Sequence, residues 1–281
     1  MESPPDRFSR PPAPSSDVDS PFGTYRLTGL DHALYHIAQG FGRGWLRFKL
    51  GLIFRKLVLK KKRIVDADPL GIRCRFYPHQ NLGDRFVLFT PAYYEHEERE
   101  LLPSVLRADS IFVDIGANTG FYSLFSAKFI TAPNGRILAF EPNPIMFDRL
   151  RMNTALNGLG SRIELFPIGL ADRAGEYDLY YGPRQMGGAS MAMKGGEIHV
   201  KVPCRPLLDI LLEENVSHVS VLKIDVEGFE RNILGPFFAT APRTLFPQLV
   251  IIESPEGIDW DALGYRLEKR THAHNSIFVR C

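Results

Sequence analysis

The chain has 281 residues, of which 44% are hydrophobic and 23% charged, with a formal net charge of +2. That supplies a sizeable core with an ordinary charge content, and so excludes a wholly disordered chain. The longest stretch free of Asp, Glu, Lys and Arg, Ile115 to Ala127, is 13 residues, short of the about 20 that a membrane-spanning helix needs.

The near-neutral total conceals an asymmetry. Phe41 to Arg63 holds nine Lys/Arg and no acid, leaving 25 basic and 32 acidic residues elsewhere, a balance of −7. The N-terminus has neither the apolar core nor the small-residue cleavage pattern of a secretory signal. Cys74, Cys204 and Cys281 lie too far apart in sequence to suggest a paired framework, which fits a reducing compartment. Together these features point to the cytoplasm.

Residues 1–21 contain six prolines among Ser and Asp and almost no apolar side chains, too little to offset the entropy of ordering, and are expected to be disordered. Residues 22–63 form a basic arm, expected to be helical from about Leu27 to Arg63. Its apolar positions run round almost all sides of the helical wheel. Two readings stay open: an ordinary packed helix with a solvated Lys/Arg run, or peripheral contact of 41–63 with the anionic inner face of a membrane. No recognised motif accompanies the charge, so nucleic acid is not an expected partner.

Residues 64–108 read as a small lead-in. Ile64 to Thr90 has short apolar groups broken by Asp68-Pro69, Pro78 and Asn81-Leu82-Gly83-Asp84, which predicts strands and turns; Tyr94 to Leu106 predicts a helix. From residue 109 to 281 the rhythm changes to alternating strands and helices. The predicted strands are Ile111 to Ile115, Arg136 to Phe140, Arg162 to Phe166, Val219 to Ile224 and Leu249 to Ile252. Hairpin-type strands are expected at Glu176 to Tyr181 and His199 to Val202, and an antiparallel pair at Tyr265 to Glu268 and Ser276 to Val279. This pattern predicts an α/β fold, a doubly wound and mainly parallel sheet with a C-terminal antiparallel hairpin and an N-terminal helical arm.

In such sheets ligands bind at the carboxyl ends of strands near the topological switch point. Four acids stand at those ends here: Asp114, Glu141, Asp225 and Glu253. The turn Asp114-Ile115-Gly116-Ala117-Asn118-Thr119-Gly120 lets the backbone bend sharply and approach a ligand. Glu141, 21 residues beyond Gly120, is placed to accept both hydroxyls of a ribose, or to cap the helix after Pro142-Asn143-Pro144. The loop lacks the G-x-G-x-x-G pattern of a dinucleotide site, which speaks against a nicotinamide-dependent oxidoreductase. S-adenosylmethionine carries no phosphate and needs polar groups for its amino-acid end, which Asp114, Asn118 and the loop backbone supply.

VDIGANTGFYS, FEPNP, IGLADRAGEYDLYY, GGAS, VLKIDVEGFE and HNSIFVR follow one another in the order of the FkbM family, so that Tyr94 to Arg280 resembles these S-adenosylmethionine-dependent methyltransferases. The resemblance implies a class I, Rossmann-like methyltransferase fold and methyl transfer to an oxygen of a sugar or other hydroxylated metabolite. Carried over, it sets Asp114, Gly116, Asn118 and Gly120 around the methionine part of the cofactor, Glu141 on the ribose and Asn143 beside the adenosine. Asp172 is a candidate for the adenine edge, or equally a cap of the Arg173-Ala174-Gly175 turn. Where many class I methyltransferases end the third strand with an acid, this chain has Gly169.

Lys223-Ile224-Asp225-Val226-Glu227-Gly228-Phe229-Glu230 is the second dense constellation. On a strand Lys223 and Asp225 point to the same side. The expected catalytic residues are Asp225, Glu227 and Lys223, with a carboxylate as general base and Lys223 tuning it. Asp225, Glu227 and Glu253 also offer oxygen ligands to a divalent ion, although their spacing demands none and no metal site is predicted. Glu230 reads as a solvated or capping helix residue. Of the scattered histidines, His274 in the terminal hairpin is the one to watch. Gln185 to Ser190 reads as a glycine-rich lid over the acceptor, with Met186, Met191 and Met193 packing there or filling gaps. The alternative function from another class is an interaction module that binds cofactor without turnover, against which the intact KIDVEGFE run argues.

Overall fold

A computed structural model describes residues 17–183, 185–192 and 198–281. Most of the segment expected to be disordered, and Met193 of the expected lid, lie outside the described residues.

The arm is two helices, α1 (Gly29–Gln39) and α2 (Trp45–Leu59), rather than one. The sequence Gly40-Phe41-Gly42-Arg43-Gly44 breaks it, with Gly44 at φ 152°, a conformation that L side chains rarely adopt. Two short antiparallel strands follow, β1 (Val65–Ala67) and β2 (Cys74–Phe76). Buried Arg75 pairs its Nε with Asp66 Oδ1 at 2.7 Å and donates to the carbonyls of Asp17 and Pro21. Residues 17–21, the end of the segment expected to be disordered, are therefore held against the body.

The region read as strands and turns also contains a helix, α3 (Leu82–Phe89). Asn81 is its cap: the side chain accepts from Gly83 N. The same Asn-x-Gly chemistry that signals a turn here starts a helix, because apolar Phe86, Val87, Leu88 and Phe89 follow it. Next comes α4 (His96–Val105).

The remainder alternates as β3 (Ile111–Ile115), α5 (Phe121–Ser126), β4 (Arg136–Phe140), α6 (Pro144–Leu156), β5 (Ile163–Phe166), β6 (Gly169–Leu170), β7 (Gly175–Gly182), β8 (Gln185–Ser190), β9 (Ile198–Arg205), α7 (Leu207–Glu213), β10 (Val221–Ile224), α8 (Glu230–Thr240), β11 (Leu249–Ile252), β12 (Tyr265–Arg270) and β13 (Ser276–Arg280). The main sheet runs β12-β13-β11-β10-β3-β4-β5, parallel from β11 to β5 and antiparallel at the β12–β13 hairpin. The fold is thus the expected class I Rossmann-like arrangement. A second sheet, β6-β9-β7-β8, stands beside it. Gln185 to Ser190, expected as a lid, is its outer strand.

Alternation along β3 sends Ile111, Val113 and Ile115 into one apolar cluster and Phe112 into another on the opposite face. Asp114 takes the Phe112 face. Its register partner Lys223 shares that face with Val221. The register therefore buries a carboxylate and an ammonium side by side, at the end of the sheet where β3 and β10 give way to loops.

Candidate active site

The strand order reverses between β3 and β10, with β4 and β5 on one side and β11 on the other, so this is the topological switch point. Gly116 has φ +78°, and a β-carbon there would lie 2.0 Å from the Asp225 carbonyl oxygen. Only glycine lets the two strand-end loops approach so closely. Asn118, also left-handed at φ 54°, donates its backbone N–H to Glu141 Oε2 at 2.8 Å, while Glu141 Oε1 accepts from Asn143 N at 2.8 Å. Glu141 thus ties the loop after β3 to the loop after β4.

Two amides fasten β8 over this arrangement. Asn143 caps α6 through Ile145 N and donates its side-chain N–H to the Met186 carbonyl at 3.0 Å. Asn118 Oδ1 accepts from Asn81 Nδ2 at 2.8 Å, and its Nδ2 donates to the Gly187 carbonyl at 3.4 Å. Gly187 is needed for this closeness, since a β-carbon there would sit 2.3 Å from Asn118 Nδ2.

An inner cavity lies between the β3 loop, α5, α3 and the start of α4. Asp114, 1% exposed, lines it: Oδ2 accepts from Ser123 Oγ at 2.6 Å, and Oδ1 is buried without a hydrogen-bond partner among the described residues. Glu95 lines it from the left-handed position (φ 42°) that starts α4, and its buried Oε2 likewise has no hydrogen-bond partner among the described residues. The Tyr122 hydroxyl lies beside the Glu95 carboxyl without meeting it in hydrogen-bond geometry. Lys223, buried among them, reaches Asp225 Oδ2 at 3.2 Å and stands 4.6 Å over the Tyr122 ring.

Electrostatics here follow from burial. Desolvation raises the Asp114 carboxyl above the usual range against the opposing Lys223 charge, and lifts Glu95 to about 6. Burial presses the Lys223 ammonium down, yet Asp225, Glu95 and Asp114 outweigh it and hold its pKa above the ordinary lysine value.

A second, outer cavity is lined by Glu141 and Gly187 and by apolar Pro142, Leu179, Ala189 and Met191. Gly116 and Asp225 line both cavities, so the two meet there. Beyond Asp225, burial raises Glu227, and the charges of Asp225 and Glu230 add to it. Glu253, at the end of β11, is pushed up to about 7 by burial and by Asp225, Glu227 and Glu230. Glu230 is a cap: its carboxylate accepts from Val226 N and Gly228 N.

Not every expected residue reaches the cavities: Glu227, expected as catalytic, lines neither. Gly120 (φ +89°) lines neither; it lets α5 start against Leu150. Asn143 acts through the Met186 carbonyl. Asp172 is exposed, lines neither cavity and accepts from the Tyr177 hydroxyl at 2.8 Å. His274 stands at φ 67° in the β12–β13 turn, away from both. Sequence reasoning missed Glu95, Tyr122 and Asn81. Glu95 hides in the charged run Glu95-His96-Glu97-Glu98, which reads as a solvated helix start, and nothing local distinguishes the acid that turns inward.

The family profile of the Methyltransferase FkbM domain matches residues 114–263. Among curated proteins, the chain is 28% identical over 210 residues to methyltransferase sdnD of Sordaria araneosa, covering 63% of this chain and 76% of that one. It is 29% identical over 166 residues to hexuronic acid methyltransferase AglP of Haloferax volcanii, covering 59% and 64%. It is 27% identical over 191 residues to 31-O-demethyl-FK506 methyltransferase FkbM of Streptomyces tacrolimicus, covering 56% and 70%.

Proposed function

The chain belongs to the FkbM methyltransferase family, and on that premise we propose that it is an S-adenosylmethionine-dependent O-methyltransferase acting on a hydroxyl of a sugar, glycan or related metabolite. The observation that carries the reading is the pair of cavities joined at Gly116 and Asp225, one polar with buried oxygens unpartnered among the described residues, the other partly apolar. A ligand with an amino-acid end and a nucleoside end fits that division. Glu95 and Asp114 hold its ammonium, and the Tyr122 hydroxyl its carboxylate. Glu141 takes the ribose hydroxyls, while Leu179, Ala189 and Met191 flank the adenine. The acids around the junction suit a cationic cofactor better than its neutral product. Asp172 has no role in this reading.

When bound, S-adenosylmethionine supplies an electrophilic methyl group on a sulfonium. The chain's own residues align the acceptor and manage its proton. Asp225 accepts the hydrogen bond of the acceptor hydroxyl and takes its proton as the new bond forms. Lys223 fixes the Asp225 carboxylate and neutralises part of the negative field. Glu227 and Glu253 surround it, and Glu253, with its pKa near 7, passes the proton to solvent. The reading assigns no metal ligand. Two relatives are named for methyl transfer to a hexuronic acid and to 31-O-demethyl-FK506, which supports a hydroxylated acceptor.

The test is isothermal titration with S-adenosylmethionine and, separately, with NAD. Micromolar affinity, about −8 kcal/mol, is expected for the first alone and is expected to weaken in Asp114→Ala and Glu141→Ala. Binding of NAD without S-adenosylmethionine would refute the reading.

A further inference from the structure

Among the described residues, helix α2 is fastened to the body along one side only. Gly51 is buried where a β-carbon would meet the Phe89 carbonyl oxygen at 2.5 Å, and Val58 and Leu59 are buried with it. The opposite side faces solvent and is apolar: Trp45 is 75% exposed and Leu46 63%, with Ile53 and Leu57 exposed as well. Leu46, Ile53 and Leu57, spaced by seven and four, form one stripe, with Trp45 at its start. This resolves the sequence pattern in which apolar residues surround the whole helix. One set packs inward and the other meets solvent.

Cations frame the stripe. Lys49, Lys56 and Lys60 are exposed and recur at spacings of seven and four on the same side, the Lys49 ammonium 5.9 Å from the centre of the Trp45 ring. Arg43, Arg47, Lys61 and Arg63 are also exposed, and no acid lies anywhere in 41–63. Leu30 and Ile37 of α1, which packs against α2, are exposed as well. A second copy meeting this face symmetrically would set the same cations against one another. An anionic bilayer offers phosphates for the cations and an apolar boundary for the stripe. Indole rings favour that boundary, and lysine stems can cross it while their ammonium groups stay among the headgroups.

We propose that the exposed face of α2 docks this protein on an anionic lipid bilayer, with Trp45, Leu46, Ile53 and Leu57 entering the headgroup–acyl boundary and Lys49, Lys56 and Lys60 meeting lipid phosphates. No described helix is long and apolar enough to cross a membrane, so the contact is peripheral.

The experiment is cosedimentation of the full chain with phosphatidylcholine vesicles, with and without phosphatidylglycerol, alongside size-exclusion light scattering. The parent is expected to pellet only with the anionic vesicles, and less at high salt. Replacing Trp45, Leu46, Ile53 and Leu57 together by Ser, or Lys49, Lys56 and Lys60 together by Glu, is expected to weaken partition at least about tenfold. All seven side chains are exposed, and circular dichroism of each variant checks that the fold is kept. The proposal is overturned if the parent ignores anionic vesicles, if it binds both kinds equally, or if the variants pellet like the parent. It is also overturned if the parent is a dimer that ignores vesicles and that the Ser variant splits, which would make the face a contact between copies.

Discussion

Lys223→Met isolates the charge balance on which the inner cavity rests. Methionine keeps the length and most of the volume of the side chain and removes only the ammonium. In the parent, that ammonium faces Asp225, Asp114 and Glu95, of which Asp114 is fully buried and Glu95 has a buried oxygen. Taking one member from a buried ion pair costs roughly 3–5 kcal/mol. The Asp225 side chain is 37% exposed, so solvent screens its share and the low end, about 3 kcal/mol, is expected. For a chain of this size that lowers the melting temperature by roughly 6–12 °C.

The loss has a distinctive pH dependence. Burial already raises the folded-state pKa of both Glu95 and Asp114, and removing the cation raises them further. A carboxyl whose folded pKa is raised contributes stability at low pH and loses it as pH climbs through that folded value. Below about 6, Glu95 is neutral in parent and variant alike, so the deficit is smaller there and grows toward pH 8. Urea unfolding at pH 5.5 and pH 8, compared at equal slope, measures both quantities (pH values chosen to bracket about 6). A variant within about 0.5 kcal/mol of the parent at pH 8, or a deficit equal at both pH values, would refute the reasoning.

Asp225→Asn is expected to lower turnover by about 10²-fold or more while cofactor affinity changes little; normal turnover would exclude it as the proton acceptor. Glu95→Gln is expected to weaken S-adenosylmethionine about tenfold, the loss of one charge-assisted bond, and to leave 5′-methylthioadenosine, which lacks the amino-acid end, unaffected in the same titration. Equal weakening of both ligands would make Glu95 a structural residue only. Because Glu253 must be ionised to carry a proton away, turnover is expected to rise as pH passes about 7, and Glu253→Gln is expected to lose that limb of the profile. A limb unchanged in the variant would assign it elsewhere.

Much of the fold was legible because its signals are local. Ile111 to Ile115 and Val221 to Ile224 are short, mainly apolar runs with an acid at or just past the strand tip, Asp114 and Asp225, and the glycines after Asp114 announce a tight loop. Periodicity and turn chemistry need only neighbours in sequence. The same locality misled twice. Asn81-Leu82-Gly83 read as a turn because a turn and an N-cap use one kind of hydrogen bond, and Gln185 to Ser190 read as a glycine-rich loop although it is a strand in which Gly187 admits Asn118.

The tertiary structure alone decided which charges meet. Sequence set Lys223 two residues from Asp225 on a strand, and that pairing was readable. The register of β10 against β3 brought Asp114 to the same face, and the packing of α4 brought Glu95 to the inner cavity. Whether an acid is solvated at a helix start or buried beside an ammonium depends on contacts between segments more than 100 residues apart, and no local pattern encodes them. The two sides of α2 divide in the same way: composition determined that the arm is apolar and cationic, and only docking of Gly51 against α3 decided which apolar residues stay in water.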